Sequence, residues 1–177
     1  MVFAPGIIEN ALESLQNKPF LRLLVDDHAA LEELFGIAEL SLDAGGRCDE
    51  MFEAVSCLTR HLRIYLQLDE EFLYPALCAA GDYAAAADDL ADSAAILINE
   101  IDALETQLAI NRALPASYIL TALTALHAKF TQRIAHIRQS IFPLLRRTLS
   151  TRLDQLGRQL RERRTELEVT LYRLPAT

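Results

Sequence analysis

The stretch HLRIYLQLDEEFLYPAL, His61 to Leu77, decides the fold. At spacings of three and four residues, Leu58, Leu62, Tyr65, Asp69, Phe72 or Leu73, and Ala76 fall on one face of a helix. A carboxylate therefore sits in an apolar stripe. An unpaired charge in a protein interior costs several kcal/mol, so Asp69 requires a cation, a metal ion or hydrogen-bond donors on a facing helix.

Working outward, the same periodicity predicts four long helices. The first runs from about Phe20 to Leu42, with Leu21, Leu24, His28, Leu31, Phe35, Ala38 and Leu42 on one face. The loop around Gly45 and Gly46 ends it, and Asp49 can cap the second, about Asp49 to Ala80, in which Pro75 should kink or end the regular helix. After Gly81 and Asp82 a third covers roughly Tyr83 to Ile110, with Leu90, Ser93, Leu97, Ile101, Leu104 and Leu108 inward. NRALPAS separates it from a fourth, about Ser117 to Thr148, with Leu123, Leu126, Phe130, Arg133, Ile137, Ile141 and Leu144 inward and Pro143 near its end. Before these, IIENALESLQ (7–16) makes a short amphipathic helix, broken by Pro19. After them, Leu149, Leu153, Leu156, Leu160, Leu167, Leu171 and Leu174 form the narrow stripe of a fifth helix, packed on its own bundle or used for a homodimer.

Composition agrees with an all-helical chain, since 177 residues carry only six Gly and six Pro and 51% are hydrophobic. No stretch reaches the roughly 20 uncharged apolar residues of a membrane span, and MVFAPGIIEN lacks the layout of a secretory signal; a cytoplasmic protein is expected. Cys48, Cys57 and Cys78 form no CxxC and are expected to be free, mostly buried thiols. The net charge of −8 is unevenly spread, because residues 146–177 hold eight Lys and Arg against four Asp and Glu. The acidic body argues against nucleic acid as partner. Without a Gly-rich phosphate loop, a nucleophile elbow or a Cys paired with a motif His, no enzymatic chemistry is expected.

The chain also repeats itself. DHAAL (Asp27 to Leu31) returns as DSAAI (Asp92 to Ile96), and LYPAL (Leu73 to Leu77) returns as IFPLL (Ile141 to Leu145). Two copies of a helical hairpin imply an antiparallel up-down four-helix bundle over residues 19–148, with an N-terminal arm (1–18) and an added C-terminal helix (149–177), in one domain. The repeat pairs His28 with Ser93, Tyr65 with Arg133 and Asp69 with Ile137, and predicts that all six line the middle of the bundle.

DHAALEELF at Asp27 to Phe35, DEEFLYPAL at Asp69 to Leu77, IFPLL, and LDQLGRQLRERRTEL at Leu153 to Leu167 resemble the hemerythrin-like, or HHE cation-binding, domain family. The resemblance implies two iron ions held between four helices by histidines and carboxylates, with a His and an acid four residues apart on the second and fourth helices. Here the first-helix histidine is His28, the second-helix pair has become Tyr65 and Asp69, the third-helix histidine has become Ser93, and the fourth-helix pair has become Arg133 and Ile137. Tyrosinate and aspartate can hold ferric iron, whereas Arg is no ligand and Ile has nothing to donate.

Several readings of that centre are open. In the first, Arg133 stands in place of metal and pairs with Asp69, helped by Ser93 and His28, so that no cofactor is expected; the bundle has lost di-iron and oxygen binding and acts as a bacterial-type regulatory or protein-interaction module. In the second, His28, Tyr65 and Asp69, assisted by His61 or His136, hold one iron or zinc for sensing or storage. A third gives a small ligand the cavity left by the missing metals. His61, His136 and His127 otherwise read as partly exposed helix-face histidines, and Glu70 and Glu71, with the cluster Arg158, Arg161, Arg163 and Arg164, as solvated helix faces.

Overall fold

In the computed structural model, residues 19–43, 48–81, 83–111, 114–149 and 151–173 are described, and every regular element among them is helical. α1 is Pro19–Asp43, α2 is Cys48–Leu68, α3 is Tyr74–Ala79, α4 is Ala84–Ile110, α5 is Ala116–His136, α6 is Phe142–Thr148 and α7 is Leu153–Arg173. α2 runs into α3 through a π-turn, Asp69–Leu73, and α5 into α6 through a second, Ile137–Ile141. The predicted arm at 7–16, the Gly45–Gly46 loop, Asp82 and Leu174 lie outside the described residues, as do the side chains of Cys48, Asp49 and Leu171.

The π-turns have a local cause. Pro75 and Pro143 lack an N–H, and their rings would crowd the carbonyls of Glu71 and Gln139 one turn earlier. The helix widens instead: the Tyr74 N–H reaches back five residues to the Asp69 carbonyl, and the Phe142 N–H to that of Ile137. The prolines thus insert one residue without ending the rod, and the inward face beyond them shifts. Leu73 is buried rather than Phe72, and Leu145 rather than Leu144. Gly81, at φ 135°, lies just beyond α3 in a conformation that suits glycine.

Upstream of the prolines the predicted stripes are the observed core. Leu21, Leu24, His28, Leu31, Phe35, Ala38 and Leu42 of α1 are all buried, as are Leu58, Leu62 and Tyr65 of α2 and Leu123, Leu126, Phe130 and Arg133 of α5. α1 packs on α2, α5 and α7, while α4 packs on α5, α3 and α2. The buried apolar residues divide into two clusters. One gathers Leu31 to Leu42, Met51 to Leu66, Ala94 to Leu108 and Ile119 to Ile134; the other gathers Phe20 to Leu24, Leu73 to Leu77, Ala87 to Leu90, and Ile137 onward. His28, Asp69 and Ser93 fall in the sequence gaps between the two, and Arg133 lies within the end of the first, between Phe130 and Ile134 and four residues before Ile137.

α7 continues the second cluster through Leu153 and Leu160, both fully buried, with Leu156 half-buried. Gly157 permits the contact, because a Cβ there would lie 2.8 Å from the Phe20 backbone nitrogen and 3.0 Å from Pro19 Cβ. Two arginines expected to face solvent serve instead as clamps. Arg163 reaches Glu71 at 2.8 and 3.0 Å, and Arg164 bonds Asp27. Cys57 and Cys78 are free thiols; Cys78 is exposed rather than buried, because α3 turns it away from the core. No helix among the described residues is long and apolar enough to cross a membrane.

Candidate functional site

Between the two clusters lies a layer of polar side chains built around Arg133. It sits on the inward face of α5 and is 3% exposed. Its Nη2 donates to Asp69 Oδ2 at 2.8 Å and to the Tyr74 hydroxyl at 3.1 Å; its Nη1 donates to the Leu90 carbonyl at 2.5 Å and to Ser93 Oγ. The two hydroxyls accept from the guanidinium and pass their own protons on, Ser93 to the Leu90 carbonyl at 2.9 Å and Tyr74 to the same oxygen at 3.2 Å. Asp69 is fully buried at the start of the first π-turn. Asp69 Oδ1 and Arg133 Nε have no hydrogen-bond partner.

His28 forms the other limb. Arg138, in the second π-turn, donates from Nε to His28 Nδ1 at 3.4 Å. A guanidinium can only donate, so the imidazole proton is on Nε2, which lies 3.2 Å from the Tyr65 hydroxyl and donates to it. The phenol proton is then free for the neighbouring Asp69 carboxylate, whose charge it favours. Phe142 stacks parallel to His28, with ring centroids 6.2 Å apart.

His28 bonds Tyr65 between α1 and α2, and Ser93 bonds Arg133 between α4 and α5. Phe142 stacks on His28, and its repeat counterpart Tyr74 sits against Arg133 and the Leu90 carbonyl, beside Ser93. One side of the layer carries an imidazole and a phenol, the other a hydroxyl and a guanidinium.

Electrostatics follow from burial. The apolar surroundings push the His28 imidazole down to about 3, helped by the charges of Arg138 and Arg133, so it is neutral at pH 7. Burial and the nearby Asp69 charge hold the Tyr65 phenol well above 10, in its protonated form. Burial lifts the Asp69 carboxyl above its ordinary range, while Arg133 pulls it back; Asp69 in turn holds the proton on Arg133 against its own desolvation. Asp27, next to His28, is lifted by burial to about 7 although Arg164 opposes the shift.

Of the residues singled out from sequence, Asp69, Arg133 and Ser93 meet directly, His28 meets Tyr65, and Ile137 is fully buried at the start of the second π-turn. His61 and His136 stay on helix faces; His61 Nδ1 donates to the Cys57 carbonyl at 2.8 Å. His127 is partly exposed, as expected, but it has partners. It bridges Glu32 (2.8 Å) and Glu39 (3.0 Å) and stacks on Phe35 at 4.3 Å, tying α5 to α1. Sequence reasoning missed Tyr74, Arg138 and the Leu90 carbonyl. Tyr74 was legible as the repeat counterpart of Phe142, whereas Arg138 lies on an otherwise exposed face and a backbone carbonyl carries no side-chain signal.

The donor set does not fit a pair of metal ions. A guanidinium already bonds the Asp69 carboxylate, its positive charge repels a cation, and Ile137 offers no ligand atom. Among the described residues no group of three or more His, Cys, Asp and Glu is placed to hold a metal ion. A family model described as Hemerythrin HHE cation binding domain matches residues 20–145. No curated protein and no solved structure matches the chain.

Proposed function

Because the chain belongs to the hemerythrin HHE cation-binding domain family, we propose that it is a member in which Arg133, rather than a pair of ions, links the helices across the middle of the bundle, and that it acts as a regulatory or protein-interaction module. The carrying observation is the buried Arg133–Asp69 bond, its second nitrogen shared between Ser93 and the Leu90 carbonyl. A cation is what the buried carboxylate requires, and a guanidinium fixed by four acceptors supplies it without metal.

The proposed arrangement is antiparallel, up-down-up-down. It is supported by the order in which the helices traverse the two apolar clusters: α1 and α4 pass from the Phe20 cluster to the Phe35 cluster, while α2 continuing into α3, and α5 continuing into α6, pass the other way. The proposal puts the protein in the cytoplasm with a protein as partner, not nucleic acid or membrane, in keeping with its net charge of −8. A second copy docking through the outer face of α7 is one such partner, and Val169 there is 42% exposed.

The competing reading keeps one iron or zinc on His28, Tyr65 and Asp69, and the closeness of those three groups favours it. Metal analysis of protein purified without a histidine tag, together with a visible spectrum, separates the two. The proposal expects far less than one metal per chain and no visible band; near-stoichiometric metal, or a phenolate-to-iron charge-transfer band, overturns it. Sedimentation velocity over a range of concentrations tests self-association, which Val169→Glu should abolish if α7 is the contact.

A further inference from the structure

A second feature lies outside the Arg133 layer. Between α1, α2 and α7 runs a groove of about 580 Å³, within the usual range for small-molecule sites. Its walls are Ala30, Leu31, Leu34 and Ile37 of α1 with Ile64 and Leu68 of α2, and Tyr65 lies at its inner end. The polar groups around it are almost all acceptors. Asp26, Asp27, Glu33 and Glu168 line it, against a single cation, Arg164. Arg164 is occupied by Asp27, and Asp26 has only a 3.9 Å contact with Arg22 in its own helix. Glu33 and Glu168 have no ion-pair partner among the described residues. His61, also in the lining, donates its Nδ1 proton to the Cys57 carbonyl.

An apolar trough rimmed by four carboxylates, two of them without an ion-pair partner among the described residues, selects a ligand with an apolar body and a charged donor at one end. We propose that this groove binds a small amphipathic amine, its hydrocarbon or aryl part between Leu34 and Ile64 and its ammonium among the carboxylates of Asp26, Glu33 and Glu168. Arg164 marks where such a charge is welcome, since the chain's own cation already sits at one edge. The inference does not rest on whether the bundle centre holds metal.

Titration calorimetry with tryptamine and phenethylamine, against the corresponding alcohols and carboxylic acids, tests it. Expected are saturable one-to-one binding of an amine and, for the matched alcohol, affinity lower by at least about ten-fold, the contribution of a charge-assisted contact. Ala30→Phe, which fills the trough, and Ile37→Arg, which puts a fixed cation on a side chain already half exposed, should each weaken binding by about ten-fold or more while far-ultraviolet circular dichroism and the melting temperature stay close to the parent's. No saturable binding of either amine up to millimolar concentrations, equal affinity for amine and alcohol, or undiminished affinity in both folded variants would overturn the proposal.

Discussion

Removing Arg133 strips the compensating charge from a carboxylate that water cannot reach. Arg133→Ala should cost about 3–5 kcal/mol in denaturant unfolding at pH 7, whereas Arg133→Met combined with Asp69→Leu should recover most of that loss because no charge is left unpaired. A single variant as stable as the parent would show that Asp69 has another partner. His28 sets a second expectation through its proton. With the folded-state value near 3 and the ordinary value at 6.5, the unfolded chain binds more protons between these limits. Its stability contribution is therefore complete above pH 6.5 and is lost on acidification, by up to about 1.4 kcal/mol per pH unit. Asp27 works in the opposite sense: raised from 3.8 to about 7, it favours the folded state below pH 4 and loses that contribution as pH rises through 7. Urea titrations of His28→Gln should accordingly show stability rising, not falling, as pH drops from 6.5 to 4. At this scale the Arg133–Asp69 contact was readable, because both residues fall on inward faces by periodicity and a carboxylate there needed a cation. The proton order from Arg138 through His28 to Tyr65 was not, since tautomers are set by contacts between distant helices.

Among the elements, the two π-turns offer a controlled comparison. Both precede a proline, yet the first begins with Asp69 and the second with Ile137. Pro143→Ala restores a backbone donor where the widened turn holds no buried ion pair, only the exposed Arg138 at 3.4 Å from His28, and should change stability by less than about 1 kcal/mol. Pro75→Ala lets the helix return to regular winding, which rotates Asp69 away from Arg133, and should lower the urea midpoint clearly more. Equal effects would mean that the turn does not aim the carboxylate. The proline signal in the sequence is a kink or a stop; whether the rod instead gains one residue depends on which leucine the opposing helices can bury, and Leu73 and Leu145 decide that only once packed. Gly157 is the tightest seam of α7. Gly157→Ala pushes a methyl group onto the Phe20 backbone, and should cost about 1–3 kcal/mol and speed hydrogen exchange along α7.

Across the whole molecule, two kinds of ion pair hold α7 and the bundle centre. Arg163–Glu71 has both partners about one-third exposed, whereas Arg133–Asp69 has 1% and 0% of its side chains exposed. Exposed pairs are screened over about 10 Å at 0.1 M salt and buried ones far less. Raising sodium chloride from about 0.05 to 0.5 M should therefore increase hydrogen exchange in residues 160–173 before any change around Asp69 or Arg133. Simultaneous loosening would mean that the strap and the centre open as one unit. The charge imbalance between the body and the last 32 residues is compatible with such a strap and equally with a contact to another copy. Which arginines close it was hidden, since Arg163 and Arg164 become clamps only when Leu160 seats the helix.

One oxygen of the bundle collects more than its share of protons. The Leu90 carbonyl accepts from Arg133, Tyr74 and Ser93, and a C=O so heavily polarised vibrates at lower frequency than its neighbours. Isotopic substitution at that one peptide unit would turn it into an infrared gauge of whether the guanidinium is seated, readable in the intact protein without any added dye.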